Sequence, residues 1–505
     1  MLERYVKKIL ASRVYDVAQE TPLQRGHGLS ERTANRVHLK REDMQSVFSF
    51  KVRGSYNKIA QLAPAAAARG VITASAGNHA QGVALASREL GLKATVVMGR
   101  NTPDIKVAAV RRLGAKVVLH GDSYNAAADH AQKLAAQNDY TYVHPFDDVD
   151  VIAGQGTVGM EILNQSGGTL DAIYVPVGGG GLIAGIAAYV KYLRADVRII
   201  GVEAEGSACM SAALRKGRRV TLPAETLDLF ADGVSVAQAG KETFAIARKY
   251  VDEMITVSTD EICAAVKDLF DDTRTIAEPA GALSIAGMKK HVVREGWRDR
   301  DLVAIVSGAN VNFDRLRHIS ERAELGEQRE AILGVQIDER PGSFHKFCRQ
   351  LGKRGITEFN YRLASDSAAQ VYVGLATGSR ADREEVIDQL DQAGYAVEDM
   401  TDNEVAKTHV RHMVGGRGRD TRDELLFRFE FPERPGALLK FLSVLGARWS
   451  ITVFHYRNHG AAWGRALVGF AATSTQRAEL KDYLSKVGYR YWEESDNCAY
   501  KMFLR

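Results

Sequence analysis

One segment of this chain is written twice. ERPGSFHKFCRQLGKRGITEFNYR (339–362) is answered by ERPGALLKFLSVLGARWSITVFHYR (433–457), with one residue inserted. Glu, Arg, Pro, Gly, Lys, Phe, Leu-Gly, Arg and the closing Tyr-Arg all match. A match this dense marks a duplicated module. The constraint is strong, because whatever the first copy folds into, the second must fold into again. Each copy reads strand, Pro-Gly turn, helix, strand. A weaker second half follows, with a strand near 370–376 and a helix over 381–394. ERAELGEQRE (321–330) is charged and poor in large apolar residues, so it reads as a linker or an exposed helix. The polar, glycine-rich stretch 415–424 joins the copies. The expected division is therefore a first domain over 1–320, a linker over 321–330, one module over 331–412, a second linker over 413–424, and a second module over 425–505.

The first domain has a different texture. ATVVM (94–98), KVVLH (116–120), DAIYVPV (171–177), RIIGVEA (198–204) and DLVAIVSG (301–308) are continuous apolar runs. Helical patterns such as AAADHAQKLAAQ (126–137) and LIAGIAAYVKYL (182–193) alternate with them. This order predicts an α/β domain whose parallel sheet is covered on both faces.

Composition excludes several classes. With 45% apolar and 26% charged residues, the chain is neither disordered nor fibrous. Its net charge of +5 is small for 505 residues and the signs are interleaved, so no nucleic acid or membrane partner is called for. Cys209, Cys263, Cys348 and Cys498 are widely spaced and form no metal-binding pattern, which suits reduced thiols in a cytoplasmic protein. MLERYVKKIL lacks the apolar core of a signal peptide, and no apolar run is long enough to span a membrane.

Four segments of the first domain carry chemistry when read together. SFKVRG (49–54) sets Lys51 between an aromatic residue and Arg-Gly, just before a helical run. In TASAGNHAQGVALA (73–86) a strand passes through small residues into a helix at Asn78, with Ser75 and Gly77 in the turn; alone it would be an ordinary N-cap. VPVGGGGLIAG (175–185) places Gly178, Gly179, Gly180 and Gly181 between a strand and a helix. Free N–H groups and the positive helix end there make an anion cradle suited to phosphate. VSGANVNF (306–313) ends a buried strand at Ser307, whose hydroxyl can face a ligand above the carboxyl ends of the sheet. Gly179, Gly181 and Ala184, followed by Glu203 at the end of the next strand, also fit a dinucleotide fingerprint. That alternative, an NAD-dependent oxidoreductase, leaves Lys51, Asn78 and Ser307 without a task.

In this order the four segments resemble the tryptophan-synthase-β-like, fold type II, family of pyridoxal-phosphate enzymes, and within it the threonine/serine dehydratase branch. The resemblance runs from about residue 15 to the C-terminus. It implies a two-lobed catalytic fold with pyridoxal 5′-phosphate as cofactor. SFKVRG resembles the cofactor-lysine motif, so Lys51, after Phe50, would hold the cofactor aldehyde as a Schiff base. SAGNHAQG resembles the segment that gathers the substrate carboxylate, which assigns Ser75, Ala76, Gly77 and His79 to substrate and Asn78 to the cofactor's 3′ oxygen. GGGGL, through Leu182, resembles the phosphate loop, and SGAN the motif whose serine, here Ser307, meets the pyridine nitrogen. AEPAG (277–281) places Glu278 near the substrate. The implied reaction is deamination of L-threonine to 2-oxobutanoate and ammonia, the committed step towards isoleucine. A serine-preferring dehydratase or another β-eliminating lyase is the near alternative. A desolvated lysine has the lowered pKa that this chemistry needs.

Two departures narrow the resemblance. Serine racemases of the family carry a second serine where this chain has Ala76. Metal-binding relatives carry Glu-x3-Ala-x-Asp where Glu203 is followed by Ser207 and Cys209, so no divalent metal site is expected. ERPGxxxKF resembles the Pro-Gly turn of ACT-like regulatory domains, α+β modules that bind amino acids. Two such modules imply inhibition by isoleucine, opposition by valine, and a homotetramer. Their effector candidates are Arg354 and Tyr361 in the first copy and Glu433 and Tyr456 in the second: an aliphatic amino acid needs partners for both charged ends and an apolar wall.

Overall fold

A computed structural model of the chain describes residues 1–338, 346–347, 350–351, 354, 356–363, 368–412, 424–432, 441, 444, 449, 451–457 and 463–504. They form two units, Met1–Phe313 and Asp314–Arg505.

The first unit holds two sheets. Strands β1 (Leu23–Arg25), β2 (Arg36–Arg41), β7 (Ala172–Pro176), β8 (Arg198–Ala204), β9 (Glu253–Val257) and β10 (Asp301–Val306) build one, in the order β1-β2-β10-β7-β8-β9. Its pairings are parallel except β1 with β2. Strands β3 (Val71–Ala74), β4 (Ala94–Met98), β5 (Lys116–Leu119) and β6 (Thr141–Tyr142) build the other, fully parallel, in the order β5-β4-β3-β6. Every residue of β3, β4, β7 and β10 is buried, as two-sided helical cover requires. Each buried Val or Ile is worth roughly 1.5–3 kcal/mol of transfer free energy.

The helix Lys51–Ala60 follows the SF dipeptide and crosses the helix Val149–Gln165 at a pair of glycines. A Cβ on Gly54 would come 2.7 Å from the Val151 carbonyl, and one on Gly154 would come 2.7 Å from Gly54 Cα. Beside this crossing lies a buried charge cluster. Arg53, fully buried, forks onto Glu42 at 2.7 and 2.8 Å and onto Glu161 at 2.5 and 2.9 Å. Lys40 meets Glu161 at 2.6 Å. Two cations balance two carboxylates, which is how such burial is tolerated.

The second unit repeats one fold. Strands β11 (Glu330–Asp338), β12 (Ile356–Leu363), β13 (Ala368–Ala376) and β14 (Ala396–Asp399) form an antiparallel sheet ordered β12-β13-β11-β14. Strands β15 (Glu424–Pro432), β16 (Ile451–Arg457), β17 (Trp463–Ala471) and β18 (Arg490–Glu493) form another ordered β16-β17-β15-β18. Helices Arg380–Gln392 and Arg477–Val487 occupy matching places. Even the irregularity recurs, with register shifts at Ile356/Glu358 and Ile451/Val453. The repeated Lys-Phe pair has a packing reason: Phe347 and Phe441 are both fully buried, each in its own module's core.

A third cluster, including Ile332, Tyr372, Val405, Leu426, Leu467 and Phe503, joins the two modules. Asn403 caps the helix Glu404–Thr408 and Asn497 caps Cys498–Phe503. The two asparagines meet, Asn403 Nδ2 to Asn497 Oδ1, at 3.4 Å. Equivalent residues touching in this way indicate a local two-fold relation between the copies.

The expected linker at 321–330 is corrected by this unit. Arg315–Gly326 is a helix, and Glu330 already begins β11. Ile319, Ala323 and Leu325 bury one of its sides, and Leu325 belongs to the cluster joining the modules. Arg322 is buried with them because its guanidinium pairs with Glu404 at 2.8 and 3.1 Å. The break between the units therefore falls at Phe313/Asp314 rather than at 320. Of the joining stretch expected at 413–424, all but Glu424 lies outside the described residues.

Candidate active site

The four segments converge at the carboxyl ends of β3, β7 and β10. SFK is stitched onto SGA at the end of β10: Ser49 bridges Gly308 in antiparallel fashion, Phe50 N–H donates to the Ser307 carbonyl at 3.3 Å, and Ala309 N–H donates to the Phe48 carbonyl at 2.9 Å. Phe48 adopts φ +54° just before this stitch, a left-handed turn that a non-glycine residue adopts at a cost. Lys51 then opens its helix. Its Nζ donates to the Pro145 carbonyl at 3.3 Å and lies 5.1 Å from the Phe50 ring centre. Burial pushes the Lys51 amine down to about 8, although the nearby Glu278 carboxylate pulls the other way. A sizeable neutral fraction near neutral pH is what a nucleophilic or proton-accepting amine needs.

Ser75, Ala76 and Gly77 form the turn after β3, and Ser75 Oγ accepts from Gly77 N–H at 3.2 Å. Asn78 begins the next helix, where the first N–H groups lack intrahelical partners. Its Nδ2 donates to Glu278 Oε1 at 2.6 Å, and its Oδ1 accepts from Asn310 Nδ2 at 2.7 Å. Glu278 is buried at the start of the helix Pro279–Glu295. The His79 ring sits beneath this surface. Nε2 donates to the Val143 carbonyl at 3.0 Å and Nδ1 accepts from Ser55 Oγ at 3.2 Å. Burial, with the positive charge of Lys51 adding to it, pushes this imidazole down to about 3. With both ring nitrogens engaged, His79 can serve a substrate only through its backbone.

The glycine loop cannot carry side chains. A Cβ on Gly179 would overlap the Phe146 ring, one on Gly178 would come 2.9 Å from the Val234 backbone, and Gly180 holds φ +96°. Gly181 begins the helix Gly181–Leu193, and the Leu182 side chain is packed into the core, leaving its N–H for the loop. The Gly179 carbonyl accepts from Thr243 Oγ1 at 2.7 Å and from Gly240 N–H at 3.2 Å, which pins the loop from its carbonyl side. Ser307 is buried, and its hydroxyl donates to the Ala280 carbonyl at 3.2 Å.

One segment that the sequence reading passed over ties these parts together. In HPFDD (144–148), Pro145 accepts from Lys51, Phe146 underlies Gly179 and Gly181, and Asp147 caps the helix Lys241–Tyr250 by accepting from Lys241 and Glu242 N–H at 2.7 and 2.8 Å. Asp148 caps the helix Val149–Gln165. A proline, an aromatic and two acids before a helix were the available signal.

Glu203 rules against the dinucleotide reading. It is fully buried, and its carboxylate accepts from Met210 N–H, Ser211 N–H and Ser211 Oγ at 2.7, 2.8 and 2.6 Å. Burial pushes it up to about 7. An acid spent on the turns of Cys209–Lys216 cannot reach a ribose.

Known proteins agree with this geometry. The family described as pyridoxal-phosphate dependent enzyme matches residues 14–308, and the C-terminal regulatory domain of threonine dehydratase matches 321–410 and 415–504. L-threonine dehydratase biosynthetic IlvA of Burkholderia multivorans is 52% identical over 503 residues, covering 99% of each chain. The Escherichia coli protein of the same name is 50% identical over 501 residues, 99% of this chain and 97% of that one. This chain belongs to the biosynthetic threonine dehydratase family.

Among solved structures, the processed form of threonine deaminase isoform 2 from Solanum lycopersicum matches 64% of the dehydratase chain and 93% of its own, with TM-score 0.62 and 47% identity. Maize serine racemase matches 62% and 95%, with TM-score 0.59 and 30% identity. The dehydratase is a pyridoxal-phosphate enzyme of fold type II with duplicated regulatory domains. Its residues fit that cofactor: a half-buried amine of lowered pKa, a side-chain-free loop at a helix start, and a neutral hydroxyl at a strand end.

The effector candidates are less gathered. Arg354 donates to Asp382 Oδ1 at 2.8 Å within its own module, so its guanidinium is already paired with an acid. Tyr361 and Tyr456 occupy matching positions in β12 and β16, opposite Val371 and Ala466. Glu433 lies outside the described residues. No group of three or more His, Cys, Asp or Glu suited to a metal occurs among the described residues, and no described helix is long and apolar enough to cross a membrane.

Proposed function

We propose that the chain deaminates L-threonine to 2-oxobutanoate and ammonia. Lys51 carries this reading, because its amine, of lowered pKa, donates to the Pro145 carbonyl and feels the Glu278 carboxylate that Asn78 holds. Lys51 would hold the cofactor, the N–H groups of Gly178–Leu182 its phosphate, Asn78 its 3′ oxygen and Ser307 its ring nitrogen. When bound, pyridoxal phosphate supplies an electron sink for the negative charge that develops at the substrate Cα. The N–H groups of the turn Ser75–His79 bind the substrate carboxylate at the helix start. Lys51, as a free amine, accepts the Cα proton; the β-hydroxyl takes up one proton and departs as water, so that one water is lost overall, and water then hydrolyses the resulting enamine to 2-oxobutanoate and ammonia. Ser307 presents a neutral hydroxyl where an acid would fix a ring cation, which favours prompt loss of the β-group over reprotonation. Ala76 offers no proton donor in place of the racemases' serine.

The second unit would sense the end product. We infer inhibition by isoleucine and its relief by valine, with Arg354, Tyr361, Glu433 and Tyr456 at the effector sites, in a cytoplasmic homotetramer. Two copies of the regulatory domain of threonine dehydratase support this. By linkage, isoleucine must prefer the less active state. Steady-state assays of threonine and serine, with and without isoleucine, test the reading. Faster turnover of threonine that isoleucine suppresses is expected; serine-only turnover, or indifference to isoleucine, would contradict it.

A further inference from the structure

The SGAN segment holds a second polar residue that the reaction above does not use. Asn310 Nδ2 donates to the Val47 carbonyl at 2.8 Å and to Asn78 Oδ1 at 2.7 Å. Asn78 Nδ2 in turn donates to Glu278 Oε1 at 2.6 Å. Both ends of this chain only accept hydrogen bonds: a main-chain carbonyl at one end and a carboxylate at the other. The direction of donation is therefore imposed from outside. Val47 obliges Asn310 to turn its NH2 inward, the second N–H claims the oxygen of Asn78, and Asn78 is left presenting its NH2. Asn310 and Glu278 thus hold the Asn78 amide from its two edges, and without Asn310 Glu278 alone would set its direction.

We infer that Asn310 is a positioning residue for the deamination, fixing with Glu278 which edge of the Asn78 amide meets the cofactor's 3′ oxygen. The inference rests on the assignment of Asn78 to the cofactor given above. Gly308 adds an independent constraint. A Cβ there would come 2.7 Å from Glu278 Oε1 and 3.2 Å from Asn78 Nδ2, so the Asn78–Glu278 bond lies close over bare backbone. An N–H turned towards the 3′ oxygen favours its anionic form; a carbonyl oxygen turned there repels it.

The test uses the full-length holoenzyme and reads the pH midpoint of the cofactor's visible band together with threonine kcat/KM. Asn310→Ala leaves Glu278 alone to hold the amide, and should raise the midpoint by about one pH unit and lower kcat/KM about tenfold. Asn310→Asp is nearly isosteric but has no donor for Asn78 Oδ1. It sets an acceptor against Asn78 Oδ1 while Glu278 still claims the amide's NH2, and should cost roughly a hundredfold, more than the truncation. Asn310→Ser keeps one donor and should retain most of the wild-type midpoint, a readout independent of whether Asn310→Asp folds. In an Asn78→Ala background none of these changes should move the band further. Spectra and kcat/KM within about twofold of wild type for both Asn310→Ala and Asn310→Asp would overturn the inference, as would a shift that persists without Asn78. A wild-type protein with no visible band or no threonine turnover would instead overturn the functional reading.

Discussion

The two units are built on opposite plans. In the first, every working residue occurs once: one Lys51, one glycine loop, one Asn78–Glu278 pair. In the second, the fold is made twice and its equivalents touch, Asn403 to Asn497 across the module boundary. A site that performs chemistry needs unlike groups around one centre. A device that senses a small ligand can be assembled from two like halves. Single changes should therefore be severe in the first unit and shared between equivalents in the second.

The largest effect is expected at Lys51. Lys51→Ala should lower threonine deamination by roughly 10³-fold or more, while isoleucine binding to the full chain, read by calorimetry, persists. Loss of both would erase the contrast. Arg53 comes next. Arg53→Met leaves Glu42 and Glu161 buried without their fork and should destabilise the first unit by roughly 3–5 kcal/mol. The midpoint of denaturant-induced loss of the cofactor band reads this directly, and an unchanged midpoint would show that the buried charges are dispensable.

A pH profile sharpens the same side. A lysine lowered to about 8 is neutral above that pH and protonated below it. Cofactor capture by the apoenzyme should therefore fall about tenfold per pH unit below about 8 and level off above it. A rate still climbing at pH 10 would mean an ordinary lysine. The smallest effect belongs to the repeated unit. Asn403→Ala and Asn497→Ala each remove a helix cap and should each cost about 1 kcal/mol. Their combination should depart from additivity, since the two side chains meet. Strictly additive losses in thermal unfolding would argue against the shared contact.

Much of the first unit was legible because each motif is a short, contiguous segment at the end of a strand or the start of a helix. Lys51, Asn78, the glycine loop and Ser307 stood out once their segments were read together and against a family resemblance, and the strands at 94–98 and 198–204 by their unbroken apolar runs. What stayed hidden works through distant partners. Asn310 acts on a residue 232 positions away, and Arg53 on one 108 away. The strap at 144–148 has no periodicity to betray it. The helix Arg315–Gly326 looked like a linker because its buried side is only Ile319, Ala323 and Leu325 among charges, two of which, Arg315 and Arg322, are themselves buried. Glu203 looked like a ribose ligand because sequence cannot show that its oxygens are already taken. In the second unit the repeat gave the fold at once, yet it could not separate residues kept for packing, such as Phe347 and Phe441, from those kept for a ligand.

The central claim is that Lys51 is the amine on which threonine deamination runs. Borohydride reduction of the holoenzyme, followed by peptide mass mapping, tests it most directly. One cofactor should be fixed per chain, on the peptide containing Lys51, with threonine turnover lost in proportion to labelling. Label on another lysine, or full labelling of Lys51 with turnover intact, would contradict the account.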